Sequence, residues 1–104
     1  KPNTFFLDEI DTGLSGKSLL SLVDLIKKIS KDQQVLCITH QPFLAAGGLA
    51  HFKVNKNVIN GITYSSISKL NTTKQRKDEL IELIGGGFGE ANDYASKLIE
   101  REAA

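Results

Sequence analysis

The chain has 104 residues, enough for one small domain or part of one, and its 40% hydrophobic and 24% charged content is ordinary for a globular protein. No apolar run approaches the roughly 20 residues that span a bilayer, and we expect neither a membrane-spanning helix nor a secretory leader. One cysteine cannot form an internal disulfide, which fits a reducing compartment. We therefore expect a cytoplasmic protein with no membrane partner.

The formal net charge of +1 conceals three blocks of different sign. Residues 1–24 carry two Lys against four acids, a balance of −2. Residues 25–77 carry nine Lys and Arg against Asp32 alone, a balance of +8, and residues 78–104 carry two against seven acids, a balance of −5. The basic middle block indicates either a solvated lysine-rich surface or a face for a polyanion such as DNA.

Two short apolar runs predict strands, with a helical pattern between them. Residues 4–7 (TFFL) and 35–39 (VLCIT) are continuous apolar runs, typical of strands buried on both faces of a parallel sheet. Apolar positions in residues 16–30 recur at helical spacing, and Ser15 is the predicted N-cap. The order predicts a parallel βαβ unit, with Cys37 as a small buried side chain.

The second half of the chain predicts a hairpin and helices. Pro42 suits the first turn of a short helix, and Asn60-Gly61 is a strong hairpin turn signal. His51 begins a strand without a ligand partner and is predicted to be structural or on the surface. The predicted elements are a short helix from 42 to the glycines at 47–48, strands over 51–56 and 62–70, a helix from a cap at 71–73 to about 84, and a last helix over 91–101.

Asp8 and Glu9 directly follow the first predicted strand, and His40 follows the second. Open α/β sheets bind ligands at the carboxyl ends of parallel strands, so these side chains are predicted to share one edge. There a carboxylate can hold Mg²⁺ through water, and a neighbouring one can activate a water molecule. Adjacent residues can divide these roles because strand side chains alternate in direction. The alternatives are that the acids merely end a strand and that the histidine is structural.

Residues 8–16 (DEIDTGLSG) resemble the Walker B and D-loop segment of the ABC ATPases, and most closely that of the RecN branch, an SMC-like family of bacterial repair ATPases. Other branches usually carry an aspartate at the position of Ser15, whereas the Asp-x-Gly-hydrophobic-Ser/Gly-Gly ending is similar to the RecN form. Residues 35–42 (VLCITHQP) resemble the switch-histidine region of the same family. With the hairpin and the helix end at 82–86, the resemblance covers essentially all 104 residues.

The resemblance implies that residues 1–104 are the C-terminal part of a P-loop NTPase head of the ABC/SMC-like type, with an α/β fold. The implied cofactors are ATP and Mg²⁺. Asp8 would hold Mg²⁺ through water, Glu9 would be the general base, and His40 would hydrogen-bond the γ-phosphate.

The resemblance also implies partners. The D-loop, residues 11–16, would cross the interface between two heads and bind nucleotide there through Asp11, Ser15 and Gly16. The implied partners are the N-terminal part of the same head, a second head in a homodimer, and DNA through the full-length protein. Nucleoid association and a role in double-strand-break repair and recombination follow from the family alone.

Two glycine-containing segments partly match the pattern of phosphate-binding loops. Gly16-Lys17-Ser18 matches the end of G-x-x-x-x-G-K-[ST], but that pattern needs glycine where Asp11 stands. The glycine-rich residues 85–89 lack a following lysine and a preceding strand, and predict a helix stop. The P-loop, glutamine loop and signature segment would precede Lys1 in a longer protein, so this chain alone is predicted not to hydrolyse ATP.

Two other functions stay open at this point. One is another ABC or SMC-like ATPase, in chromosome organisation or transport. A long coiled-coil insertion upstream would favour RecN or SMC, and a short helical subdomain would favour a transporter. The other is a non-catalytic module for head dimerisation or DNA docking.

Overall fold

The computed structural model describes residues 3–86 and 89–103, which form an α/β structure with four helices and two two-stranded sheets. The predicted order of elements is confirmed. The elements are β1 (Thr4–Asp8), α1 (Gly16–Ser30), β2 (Gln34–Ile38), α2 (Pro42–Ala46), β3 (His51–Ile59), β4 (Ile62–Leu70), α3 (Thr73–Ile84) and α4 (Gly89–Ala103). Over the described ranges, none of the helices combines the length and apolar character needed to cross a lipid bilayer.

The first sheet pairs β1 with β2 in parallel, as predicted, with α1 as the connection. Thr4 lies opposite Gln34, and the register continues without interruption until Asp8 lies opposite Ile38. Ser15 occupies the N-cap position of α1 with an extended backbone, but its side chain makes no capping hydrogen bond. The predicted position of the cap is therefore confirmed.

The prediction that both strands are buried on both faces was wrong. Phe5 and Phe6 of β1 and Leu36 and Ile38 of β2 are all exposed. The reason is geometric: α1 packs against β2, but a single helix cannot cover two faces of a sheet. Cys37 is accordingly half-buried rather than enclosed.

The second sheet is an antiparallel hairpin of β3 and β4. Asn60 and Gly61 form its turn with φ of 52° and 78°, the left-handed region that a two-residue hairpin turn of this kind requires. Asn and Gly tolerate that region better than other residues, so the turn prediction is confirmed. β3 extends to Ile59 rather than ending at residue 56, because the ladder continues up to this tight turn.

Three helices enclose the main apolar core. Its fully buried members come from α2, α3 and α4: Ala46, Leu80, Ala95 and Leu98. α1 packs closely against the end of α2. A Cβ atom added at Gly47 would lie only 3.0 Å from the Cγ1 atom of Val23 in α1. Glycine at this position therefore permits close packing of α1 against the end of α2.

The two ends of α3 match their sequence signals. Thr72 is the N-cap, its hydroxyl accepts from the backbone N–H of Gln75, and the Gln75 side chain bonds back to the cap, completing a capping box. Gly85 ends the helix with a φ of 127°, which glycine adopts without the strain of a Cβ. Gly87 and Phe88, which belong to the predicted glycine-rich stop, lie outside the described residues.

Arg76 of α3 links to the C-terminal end of α2. Its Nη2 atom donates to the carbonyl oxygens of Ala45 at 3.4 Å, Ala46 at 3.2 Å and Gly48 at 2.9 Å. Carbonyls at a helix end have no partner within the helix, so the guanidinium replaces water there. Burial, followed by the charge of Arg76, lowers the pKa of His51, which is half-buried at the start of β3 as a structural residue.

The end of α4 contacts both α1 and α2. Lys27 of α1 forms an ion pair with Glu102, and Arg101 lies 3.6 Å from a carboxylate oxygen of Asp24. The Arg101 guanidinium also stands 5.0 Å from the centre of the Phe43 ring. Ion pairs at the protein surface stabilise little, so these contacts, of which that of Lys27 with Glu102 is partly buried, orient α4 more than they stabilise the fold.

The core predicts a clear contrast between two leucines. Leu80→Ala removes a side chain with 0% exposure and should lower the free energy of unfolding by about 2–5 kcal/mol, because it leaves a cavity. Leu49→Ala is the matched control, since Leu49 is 98% exposed, and should change stability by less than about 0.5 kcal/mol. Urea unfolding followed by circular dichroism measures both. Equal effects would contradict the assignment of the core.

Candidate active site

The ends of β1 and β2 form one edge, where the predicted site residues emerge. Beyond the last paired residues, the backbone N–H of Glu9 donates to the carbonyl oxygen of Ile38 at 2.8 Å. This bond holds the first residue after β1 beside the first residues after β2. Main-chain hydrogen bonds therefore hold together two segments that lie far apart in the sequence.

Glu9 and His40 are in direct contact at this edge. The Oε1 atom of Glu9 lies 3.0 Å from Nδ1 of His40, across 31 positions of sequence. Both side chains remain open to solvent, with 51% of Glu9 and 69% of His40 exposed. Oε2 of Glu9 and Nε2 of His40 are not used in this contact and can bind other groups.

The backbone turns sharply at Glu9. Its φ is 50°, in the left-handed region that residues other than glycine rarely adopt. Thr12 supports the turn, because its hydroxyl donates to the Glu9 carbonyl oxygen at 2.9 Å and its N–H donates to the same oxygen at 3.3 Å. Such conformations persist only where surrounding contacts hold them, and they are frequent at functional sites.

Asp8 ends β1 opposite Ile38 and is exposed. Strand alternation predicts that Asp8 and Glu9 project to opposite sides, but alternation stops at Asp8 because Glu9 leaves the extended conformation. The direction of Glu9 is set by the turn and by His40 instead. Within residues 3–86 and 89–103, no cluster of three or more His, Cys, Asp or Glu could hold a metal ion.

The carboxylate of Asp8 is an oxygen ligand of the kind that Mg²⁺ prefers. Mg²⁺ is commonly bound by one or two carboxylates, with water molecules and phosphate oxygens completing its shell. The exposed carboxylate of Asp8 is such a donor. The assignment of Asp8 to Mg²⁺ stays a prediction.

The D-loop residues occupy two different environments. The side chain of Asp11 is buried, with 1% exposure, and its Oδ2 atom accepts a hydrogen bond from the Thr39 hydroxyl at 2.5 Å. Ser15 and Gly16 are exposed, and Gly16 begins α1 with a φ of 56°. The structure therefore brings Asp11 to the segment that precedes His40 and leaves Ser15 and Gly16 on the surface.

The site edge is open rather than a deep cleft. A depression of about 310 Å³ lies elsewhere, between the hairpin and α3, and none of its lining residues is a predicted site residue. Sequence reasoning missed Thr39 as a partner of Asp11. The two lie 28 positions apart and only the fold joins them, although Thr39 belonged to the motif identified around His40.

Relatives of known sequence match this chain over nearly all of its length. The DNA repair protein RecN of Synechocystis is 39% identical over 97% of the chain, and that of Xylella fastidiosa strain 9a5c is 36% identical over 93%. RecN of Deinococcus radiodurans is 32% identical over 94%. The chain spans only about a fifth of the length of these relatives, 20%, 18% and 17% respectively, and matches their C-terminal part. No protein-family model matches the chain.

The environment of Cys37, on β2 beneath the site, predicts slow alkylation. Burial raises the pKa of its thiol, and the negative charge of Asp11 raises it further. Because only the thiolate reacts, the folded chain should be alkylated more slowly than the unfolded chain at pH 8. The rate should also keep rising to a higher pH than it does for the unfolded chain.

Iodoacetamide labelling between pH 7 and pH 11, read by mass spectrometry, tests this expectation. The chain in denaturant is the matched reference. Access alone can slow the reaction but cannot move its midpoint along the pH axis, so identical midpoints would contradict the assigned electrostatics.

Proposed function

This chain belongs to the RecN family of DNA repair proteins, and we propose that it is the C-terminal segment of an ATP-hydrolysing, SMC-like head with a P-loop NTPase fold. Since it spans about a fifth of its relatives, the activity of a complete head is part of this proposal. The observation that carries it is the contact between Glu9 and His40 at the ends of two adjacent parallel strands.

Glu9 is the proposed general base. His40 engages its Oε1 atom, which leaves Oε2 to orient an attacking water molecule and accept its proton. The exposure of the carboxylate suits this role because water must reach it. The turn at Glu9, supported by Thr12, fixes the backbone from which the base projects.

His40 is proposed to orient Glu9 and to bind the γ-phosphate. An ionised carboxylate only accepts hydrogen bonds, so the Nδ1 atom of His40 must carry a proton to bond Glu9. Donation to a phosphate oxygen from Nε2 then requires a proton on the second nitrogen as well. An imidazolium can therefore bridge base and phosphate at once, which a neutral ring in this contact cannot do.

Asp8 is proposed to hold Mg²⁺ through a water molecule. When bound, Mg²⁺ would neutralise charge that develops on the phosphate oxygens. Asp8 adjoins Glu9 at the strand end, so the metal and the attacking water would be held by neighbouring residues. The P-loop lysine and signature residues that the family resemblance implies would come from the N-terminal part of the same head and from a second head.

The exposed D-loop residues Ser15 and Gly16 suit a contact with that second head. Hydrolysis would then switch two heads between engaged and released states, as nucleotide-dependent switches do. In a repair protein such a switch would control how the complete molecule holds DNA, at the nucleoid in the cytoplasm.

The alternative is a module for head dimerisation or DNA docking without turnover. The exposed apolar faces of both sheets support an interface with other protein segments. That support is equally compatible with a catalytic head, whereas the contact of Glu9 with His40 favours catalysis. Membership in a different SMC-like or transporter branch is less favoured, since the relatives with these identities are RecN proteins.

The role of Glu9 can be tested in the complete ATPase that contains this segment. Glu9→Gln keeps the shape of the side chain but removes the base, so kcat for ATP should fall about 100- to 10,000-fold. Glu100→Gln, at an exposed glutamate of α4, is the matched control and should leave turnover unchanged. Phosphate release under saturating ATP and Mg²⁺ measures both variants.

Undiminished hydrolysis by Glu9→Gln would remove Glu9 from the role of base. Loss of ATP binding in that variant would instead indicate a role in nucleotide affinity. Equilibrium binding of a fluorescent ATP analogue separates the two outcomes.

The basic middle block predicts a weak, salt-sensitive affinity of this segment for DNA. Binding to a labelled duplex, followed by fluorescence anisotropy, should weaken steadily between 50 and 200 mM salt, because bound lysines displace counterions. Lys56→Gln combined with Lys69→Gln, two lysines of the hairpin, should make the salt dependence shallower by about one contact per lysine. An affinity that does not respond to salt would contradict this electrostatic origin.

A further inference from the structure

We propose that the hydrogen bond between Thr39 and Asp11 is a positioning element that holds His40 against Glu9. This inference rests on the proposed ATPase function and assigns Asp11 a task inside the chain, beneath the site, rather than a contact with nucleotide or a second head. Thr39 and Asp11 act through their neighbours and are positioning residues, not catalytic ones.

Thr39 fixes the backbone on both sides of His40. Its hydroxyl donates to Oδ2 of Asp11 at 2.5 Å and accepts from the backbone N–H of Gln41 at 2.9 Å. The Thr39 hydroxyl therefore holds both neighbours of His40: Thr39 itself, through Asp11, and Gln41, through its backbone N–H. The imidazole projects from a segment held at both neighbours.

Asp11 anchors the other half of the site. It lies two residues after Glu9, and its carbonyl oxygen accepts from the N–H of Leu14 at 3.0 Å. Its carboxylate is buried, and a buried carboxylate is retained only where hydrogen bonds compensate for lost water. The hydroxyl of Thr39 supplies that bond, so the turn after Glu9 and the segment around His40 are joined below the surface.

The exposed contact between Glu9 and His40 is poorly suited to hold itself together. Both side chains face solvent, where ion pairs and hydrogen bonds compete with water. A charge-assisted bond away from solvent is stronger and less mobile. The partly buried bond between Thr39 and Asp11 is therefore the element that determines where the exposed pair meets, and its loss should release the pair without unfolding the helical core.

The test uses the complete ATPase and two substitutions of one residue. Thr39→Val keeps the volume and branching of the side chain but removes the hydroxyl, and should lower kcat about 10- to 100-fold, since small misplacements of catalytic groups cost this much. The KM for ATP should change less than about threefold, because Glu9 acts in turnover and His40 would supply only one of the phosphate contacts of the complete head. Thr39→Ser retains the hydroxyl and should restore kcat to within about threefold of the parent.

Control variants show whether a loss of turnover results from general damage to the fold. Thr4→Val removes an exposed hydroxyl at the opposite end of β1 and should leave turnover unchanged. Asp11→Asn keeps an acceptor for Thr39 and should lower kcat less than Thr39→Val does. Thermal unfolding confirms that each variant is folded, and Thr39→Ala replaces Thr39→Val if the latter is not.

The outcomes separate this inference from the proposed function. If Glu9→Gln abolishes turnover while folded Thr39→Val or Thr39→Ala retains it within twofold, the positioning role is wrong and the ATPase proposal stands. An equal loss in Thr39→Ser and Thr39→Val also overturns the positioning role, because the hydroxyl would then be irrelevant. If Glu9→Gln itself retains turnover, the proposed role of Glu9 as the base is wrong. A loss of turnover in Thr39→Val could then not result from displacement of Glu9.

Discussion

The parallel pairing of β1 with β2 is the constraint on which the candidate site depends. Parallel strands advance in the same direction, so residues beyond both ends must emerge at one edge. The register places Asp8 opposite Ile38, and the bond from the Glu9 N–H to the Ile38 carbonyl extends this alignment beyond the strands. An antiparallel pair would separate Glu9 and His40 by the length of the sheet.

Stability and chemistry are located in different parts of the chain. The buried core lies among α2, α3 and α4, whereas the proposed catalytic side chains stand on an exposed edge of a two-stranded sheet. α2 connects the two regions, because it begins two residues after His40 and its other end is held by Arg76. The segment carrying His40 is thus fixed at the sheet by Thr39 and at the core by α2.

Strong local signals predicted their structures well. Asn60-Gly61 forms the hairpin turn, Thr72 caps α3 with Gln75, and Gly85 ends that helix, since each depends on backbone conformations within a few residues. Predictions about burial were less successful. Phe5 and Phe6 have the apolar character of a buried strand, but burial depends on which elements cover the sheet, and α1 alone does not cover both faces.

The sequence by itself determined the parallel unit, the hairpin, the helices and the motifs that carry the RecN family resemblance, because periodicity, turn residues and short motifs are local properties. It also predicted that Glu9 and His40 would share an edge. Only the tertiary structure decided that the two side chains touch, that Glu9 turns out of the strand, and that Asp11 is buried against Thr39. The contacts of Glu9 with His40 and of Asp11 with Thr39 join segments about thirty residues apart, and strand register and packing fix their geometry rather than the identity of either segment alone.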